Sequence, residues 1–85
     1  MTELVYYYGT WCAPCTLMKP ILDQLEQENA GKLMITRVDI DANQQQAMTA
    51  GIRNVPTIFI FKNGVKVDQQ IGAAPKSILL AKLKI

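Results

Sequence analysis

The chain has 85 residues, nine basic, seven acidic and no histidine, for a formal net charge of +2. That length allows one domain over residues 1–85, near the lower limit for folding unaided. An apolar share of 49% argues for a packed core and against disorder. The basic residues are scattered, which excludes a nucleic-acid patch. A membrane span needs roughly 18 consecutive apolar residues, and no such run exists, so no membrane association is expected. Met1-Thr2-Glu3-Leu4-Val5 lacks a basic region and a cleavage site, so the expected location is cytoplasmic.

Leu4-Val5-Tyr6-Tyr7-Tyr8 stops at Gly9 and predicts a buried strand. From about Pro14, Leu17, Met18, Ile21, Leu22 and Leu25 recur at helical spacing, with Gly31 available to cap the end. Pro20 interrupts this helix and predicts a kink. Met34 to Ile40 is a second strand, and Gln44 to Ala50 a short helix ended by Gly51. Thr57 to Phe61 is a third strand. Asn63-Gly64 then signals a tight hairpin, with Lys66 to Ile71 returning antiparallel. Pro75 suits a first helical turn, and Ile78, Leu79 and Leu83 supply the apolar face of a last helix. Lys82 and Lys84 would favour its C-terminal dipole end. Met18 and Met34 are expected in the core. Asp39 and Asp41 are expected as cap and strand-end residues, and Asp23 and Glu26 on a solvated helix face.

The order β-α-β-α-β-β-α predicts an α/β fold. Parallel strands joined by a right-handed crossover, plus the antiparallel hairpin, make a mixed four-stranded sheet with helices on both faces, a three-layer α/β/α arrangement.

Two cysteines remain to be explained. A bridge between Cys12 and Cys15 would close a very short loop, contributing roughly 2 kcal/mol in the chain-entropy model, a poor staple in a compartment that keeps thiols reduced. A structural zinc site needs four Cys or His ligands, so no metal is expected unless it is shared between chains. Redox chemistry remains, or two incidental thiols.

Position favours redox chemistry. Trp11-Cys12-Ala13-Pro14-Cys15 follows a buried strand and opens a helix. The first helical turn offers unpaired N–H groups and the positive dipole end, which favour a thiolate. Cys12 is expected at that terminus with an accessible sulfur, as nucleophile. Cys15, one turn in and shielded, would resolve the mixed disulfide. A shift in thiol pKa from about 8.5 to about 7 raises the thiolate fraction at pH 7 from about 3% to about half. Lower basicity takes back about fivefold of that gain, so the larger benefit is Cys12 as leaving group.

These features together resemble the thioredoxin family over nearly the whole chain. The resemblance rests on Trp-Cys-x-Pro-Cys, Pro20, Val38-Asp39-Ile40-Asp41, Gly51-Ile52-Arg53-Asn54-Val55-Pro56-Thr57, Phe61-Lys62-Asn63-Gly64 and Gly72. It implies a cis peptide before Pro56, facing the cysteines. It also implies a docking surface made by Trp11, Val55, Pro56, Gly72 and Ala73, with Pro14 supporting the active site. The only redox group implied is the Cys12–Cys15 couple, with no added cofactor. A monomer is expected that reduces protein disulfides, serves electron transport and cell redox homeostasis, and is recharged by an NADPH-dependent, flavin-containing thioredoxin reductase.

Two departures from the family pattern stand out. The chain starts at the strand before the active site, without the usual preceding strand and helix, which predicts an exposed strand edge at Met34 to Ile40. Tyr6 occupies the position where the family usually buries an aspartate beneath the second cysteine. It reads either as core packing or as a hydroxyl proton relay. Arg37, aligned with the basic neighbour of that acid, is expected to face solvent.

Three other readings are weighed against this one. A glutathione-coupled, glutaredoxin-like enzyme is disfavoured by Ala13-Pro14 after Trp11. A thioredoxin-fold binding subunit would leave both thiols dispensable. An oxidant of folding proteins is disfavoured by the missing signal sequence.

Overall fold

A computed structural model describes all 85 residues. The elements run β1 (Thr2–Tyr8), α1 (Ala13–Glu28), β2 (Leu33–Asp39), α2 (Gln44–Thr49), β3 (Thr57–Lys62), β4 (Val65–Ile71) and α3 (Lys76–Leu83). One sheet has the order β2-β1-β3-β4. β1 pairs parallel with β2, from Thr2 opposite Leu33 to Tyr8 opposite Asp39, and antiparallel with β3. β3 and β4 are antiparallel, with a bulge at Ile60/Phe61. The mixed four-stranded sheet and its element order are those expected.

β1 lies inside the sheet and is covered on both faces, so its residues are almost continuously apolar. Leu4 and Tyr6 face the larger core, where Met18, Leu22 and Leu25 of α1 meet Ile58, Ile60, Leu79 and Leu83. Val5 and Tyr7 face the opposite side, joining Val38 in a smaller cluster under α2 with Phe59 and Phe61 at its margin. The hairpin turn follows the Asn-Gly signal: Asn63 (φ 52°) and Gly64 (φ 82°) are both left-handed, the pair of conformations a two-residue type I′ turn requires.

Several expectations are corrected. Met34 is 49% exposed rather than core. Strand alternation turns it away from Leu33 and Ile35, onto the face of the smaller cluster of Val5, Tyr7 and Val38. Ile78 is also exposed. Leu79 and Leu83, four apart, form the inward stripe of α3, and Leu80 rather than Ile78 packs at its flank. Pro75 is the N-cap of α3 and not a residue of its first turn; its carbonyl accepts from Ile78 N–H at 3.1 Å. Lys82 does stand in the last turn of α3, as expected, and its Nζ also reaches Asp68 of β4 at 3.5 Å, whereas Lys84 is the C-cap, left-handed, its N–H bonded to the Leu80 carbonyl. β2 does lie at a sheet edge.

Candidate active site

The site forms where β1 ends. Gly9 accepts the Cys12 N–H at 3.2 Å, closing a turn that delivers Cys12 to the start of α1. Cys12 is the N-cap, extended at φ −92° and ψ 109°, and its Sγ accepts the Cys15 N–H at 3.2 Å. Sulfur here takes the place a serine or aspartate oxygen holds in most helix caps. A thiolate at this atom is stabilised by that N–H and by the helix dipole. Cys12 and Cys15 are joined as a disulfide, three residues apart in sequence.

Cys12 was expected to carry an accessible sulfur, yet in the disulfide form it is only 6% exposed, against 4% for Cys15. In the disulfide form both sulfurs are tucked into the core cluster, and their surroundings separate them better than exposure does. Cys12 Sγ lies 3.7 Å from the Val55 carbonyl, a position from which the reduced thiol can donate to that oxygen. Cys15 lies over β1, where the Tyr6 hydroxyl donates to its carbonyl at 3.0 Å.

The Val55–Pro56 peptide is cis, as the resemblance implied. Pro56 is fully buried, and its carbonyl accepts the Gly72 N–H at 2.8 Å. Gly72 has φ +88°, a conformation that suits glycine, and so joins the end of β4 to the proline loop. Thr57 Oγ1 donates to the Asn54 carbonyl at 2.6 Å and braces the same loop. Ala73 is exposed and lines a shallow apolar groove with Leu17 and Ile21. Pro14 is exposed in the first turn of α1.

Sequence reasoning missed two supports. Trp11 is 66% exposed, yet its indole is held: Nε1–H donates to Asp41 Oδ2 at 2.7 Å. Asp39 Oδ1 in turn accepts the N–H groups of Asp41 and Ala42, at 2.9 and 3.3 Å. Asp41 is thus more than a strand-end residue. The second support is Gly9, where an added Cβ would lie 2.7 Å from the Trp11 ring. A glycine placed two residues before the only tryptophan was the available signal.

Arg37 does not simply face solvent. Its guanidinium bonds Asp23 at 3.0 Å and Glu26 at 3.4 Å, so these two carboxylates carry an ion pair on the helix face where a merely solvated surface was expected. Lys19 also bonds Asp23, and that hydrogen bond, with Arg37 beside it, holds the Asp23 carboxyl below its usual range. Burial, and next the neighbouring Tyr8, push the Tyr6 phenol up to about 12, against a smaller opposing pull from Arg37.

A family model described as Thioredoxin matches residues 1–85. The chain belongs to the thioredoxin family. It is 43% identical over 76 residues to thioredoxin 1 of Nostoc sp., covering 89% of this chain and 71% of that protein. It is 45% identical over 78 residues to thioredoxin C-2 of Corynebacterium nephridii, covering 92% and 72%. A solved structure titled "Structure of a malarial protein" superposes with a TM-score of 0.94 at 24% identity, over 99% of this chain and 94% of that one, a likeness of fold. As a thioredoxin-type disulfide oxidoreductase, the protein carries out dithiol–disulfide exchange. Thioredoxins need no cofactor. Nowhere in the molecule do three or more His, Cys, Asp or Glu side chains gather as a metal site. No helix is long and apolar enough to cross a membrane.

Proposed function

We propose that this thioredoxin reduces protein disulfides, with Cys12 as nucleophile and Cys15 as resolving thiol. The observation that carries the assignment is the Cys12–Cys15 bridge across the first turn of α1, with Cys12 as the cap whose sulfur accepts a helix N–H. The Cys12 thiolate attacks one sulfur of a substrate disulfide, and the other leaves as a thiolate. A mixed disulfide between Cys12 and the substrate results. The Cys15 thiolate then attacks Cys12 Sγ, expelling the second substrate thiolate and closing the Cys12–Cys15 bond. Two electrons pass from the dithiol to the substrate.

Trp11, Val55, Pro56, Gly72 and Ala73 are the docking surface in this reading, and Pro14 supports the turn between the cysteines. The Val55 backbone beside the sulfur is placed to pair with an extended substrate segment. Pro56 presents the sulfurs with a wall that has no N–H and no metal-binding group. The partners are disulfide-containing proteins and an NADPH-dependent thioredoxin reductase, the protein acting as a monomer in the reducing cytoplasm and serving electron transport and redox homeostasis there. Within residues 1–85, treated as one domain, the couple needs no further cofactor.

Insulin reduction tests the assignment. Turnover with NADPH and thioredoxin reductase is expected, and Cys12→Ser is expected to abolish it. Turnover only with glutathione and glutathione reductase would replace this reading with the glutathione-coupled one.

A further inference from the structure

A cleft of about 320 Å³ opens beside Cys15, between β1 and α1. Tyr6, Tyr8, Cys15, Thr16, Lys19 and Arg37 line it, and no carboxylate does. The Tyr6 hydroxyl does not point its hydrogen at a sulfur; it is spent on the Cys15 carbonyl at 3.0 Å, in a buried setting. The geometry points to a division of labour at the second cysteine: Tyr6 is a positioning residue that holds the Cys15 backbone, and the Cys15 thiol gives its proton directly to solvent in the adjoining cleft. This rests on Cys15 being the resolving thiol, as proposed above.

Tyr6 is a poor proton relay for two independent reasons. Its hydrogen is committed to the carbonyl, and a phenol raised to about 12 stays neutral near pH 7, where it is a feeble base. The cleft supplies the alternative. Its charged lining groups are Lys19 of α1 and Arg37 of β2, with Asp23 and Glu26 of α1 paired to them, and Tyr6 and Tyr8 come from β1. In the mixed disulfide, the Cys15 S–H bond breaks and the proton passes to cleft water. The Cys15 thiolate attacks Cys12 Sγ, the bond from Cys12 to the substrate breaks, and the departing thiolate takes a proton from solvent. The substrate disulfide is the only oxidant required.

The test is stopped-flow reaction of the reduced protein with 5,5′-dithiobis(2-nitrobenzoate) from pH 5 to 9. The first coloured thiol released reports attack by Cys12, and the second reports resolution by Cys15. For Tyr6→Phe, losing one net hydrogen bond is expected to slow the second release about two- to tenfold at every pH, with its pH midpoint unmoved. A midpoint displaced by about one unit or more would make Tyr6 a relay and overturn the positioning role. For Thr16→Phe, a ring filling the cleft is expected to raise the midpoint by about one unit, so resolution slows about tenfold at pH 7 and recovers toward pH 9. An unmoved midpoint in Thr16→Phe would sink the solvent route. Should Tyr6→Phe fail to fold, 3,5-difluorotyrosine placed at position 6 retains the shape with a more acidic phenol; an unmoved midpoint then supports the positioning role and a displaced one overturns it. A wild-type protein that releases no second thiol overturns the assignment of Cys15 itself, a failure distinct from either of these.

Discussion

The indole N–H of Trp11 and the carboxylate of Asp41 meet at 2.7 Å, tying the loop before the cysteines to the segment that follows β2. Trp11 is otherwise largely exposed. This bond, with Gly9 beneath the ring, therefore decides where a large apolar ring stands relative to Cys12.

Asp41→Ala should free that ring. A hydrogen bond to a charged group contributes about 1.5–3 kcal/mol, at the low end for an exposed pair. The expected result is a severalfold higher KM for insulin, with kcat and the rate of Cys12 alkylation by a small reagent nearly unchanged. Equal losses in alkylation and insulin turnover would place Asp41 in the thiol chemistry instead.

Gly9→Ala probes the same ring from beneath. The new Cβ would sit 2.7 Å from the indole, which can yield by swinging outward because the ring is exposed. Stability is expected to fall by no more than about 1 kcal/mol, less than a rigid core would lose to an added methyl. Tryptophan fluorescence should shift and the KM for insulin should rise. A large loss of stability with unchanged fluorescence would show that the backbone, not the ring, had moved.

Gly72→Ala tests the left-handed residue bonded to Pro56. A side chain at φ +88° is expected to cost about 1–2 kcal/mol, read as a lower urea midpoint. Insulin turnover should fall with it, because Gly72 donates to the carbonyl of the proline loop beside the sulfurs. Full stability together with full turnover would show that this junction bears neither load.

Alkaline pH should expose the burial of Tyr6. Its phenol is raised from the ordinary 10.0 to about 12, so folding favours the neutral form. That contribution is intact below pH 10 and is lost as pH rises through 12, because the unfolded chain ionises first. The loss amounts to on the order of 2 kcal/mol over this window. Tyr7, also raised by burial, acts in the same direction. Urea midpoints of wild type and Tyr6→Phe should converge between pH 10 and 12, the variant having less to lose; parallel curves would contradict the burial argument.

The parts of the fold legible in sequence are those set by local chemistry. Asn63-Gly64 permits a turn few other pairs allow, and the helical spacing of Met18, Leu22 and Leu25 identifies the buried face of α1. The cysteines are legible as a pair because strand, glycine and helix start lie in one short stretch. The cis bond at Pro56 came only through the family resemblance. What could not be read depends on partners distant in the chain. Whether Met34 is buried turns on what covers its face of the sheet. Arg37 finds Asp23 and Glu26 only once β2 lies beside α1, and Asp41 finds Trp11 only across a 30-residue separation. Pro75 missed its expected place by a single residue, since both positions suit its fixed φ and its lack of an N–H.

The bond from Gly72 to Pro56 shows that the reactive centre is not a contiguous peptide. Grafting residues 9–18 onto an unrelated helix would transplant a capped, ionisable sulfur and its neighbour. It would leave behind the carbonyl of Val55, the proline wall and the aspartate that steadies the indole. Such a graft should react readily with small disulfides while ceasing to discriminate among folded proteins, an outcome that would show reactivity and selectivity to be held by different parts of this chain.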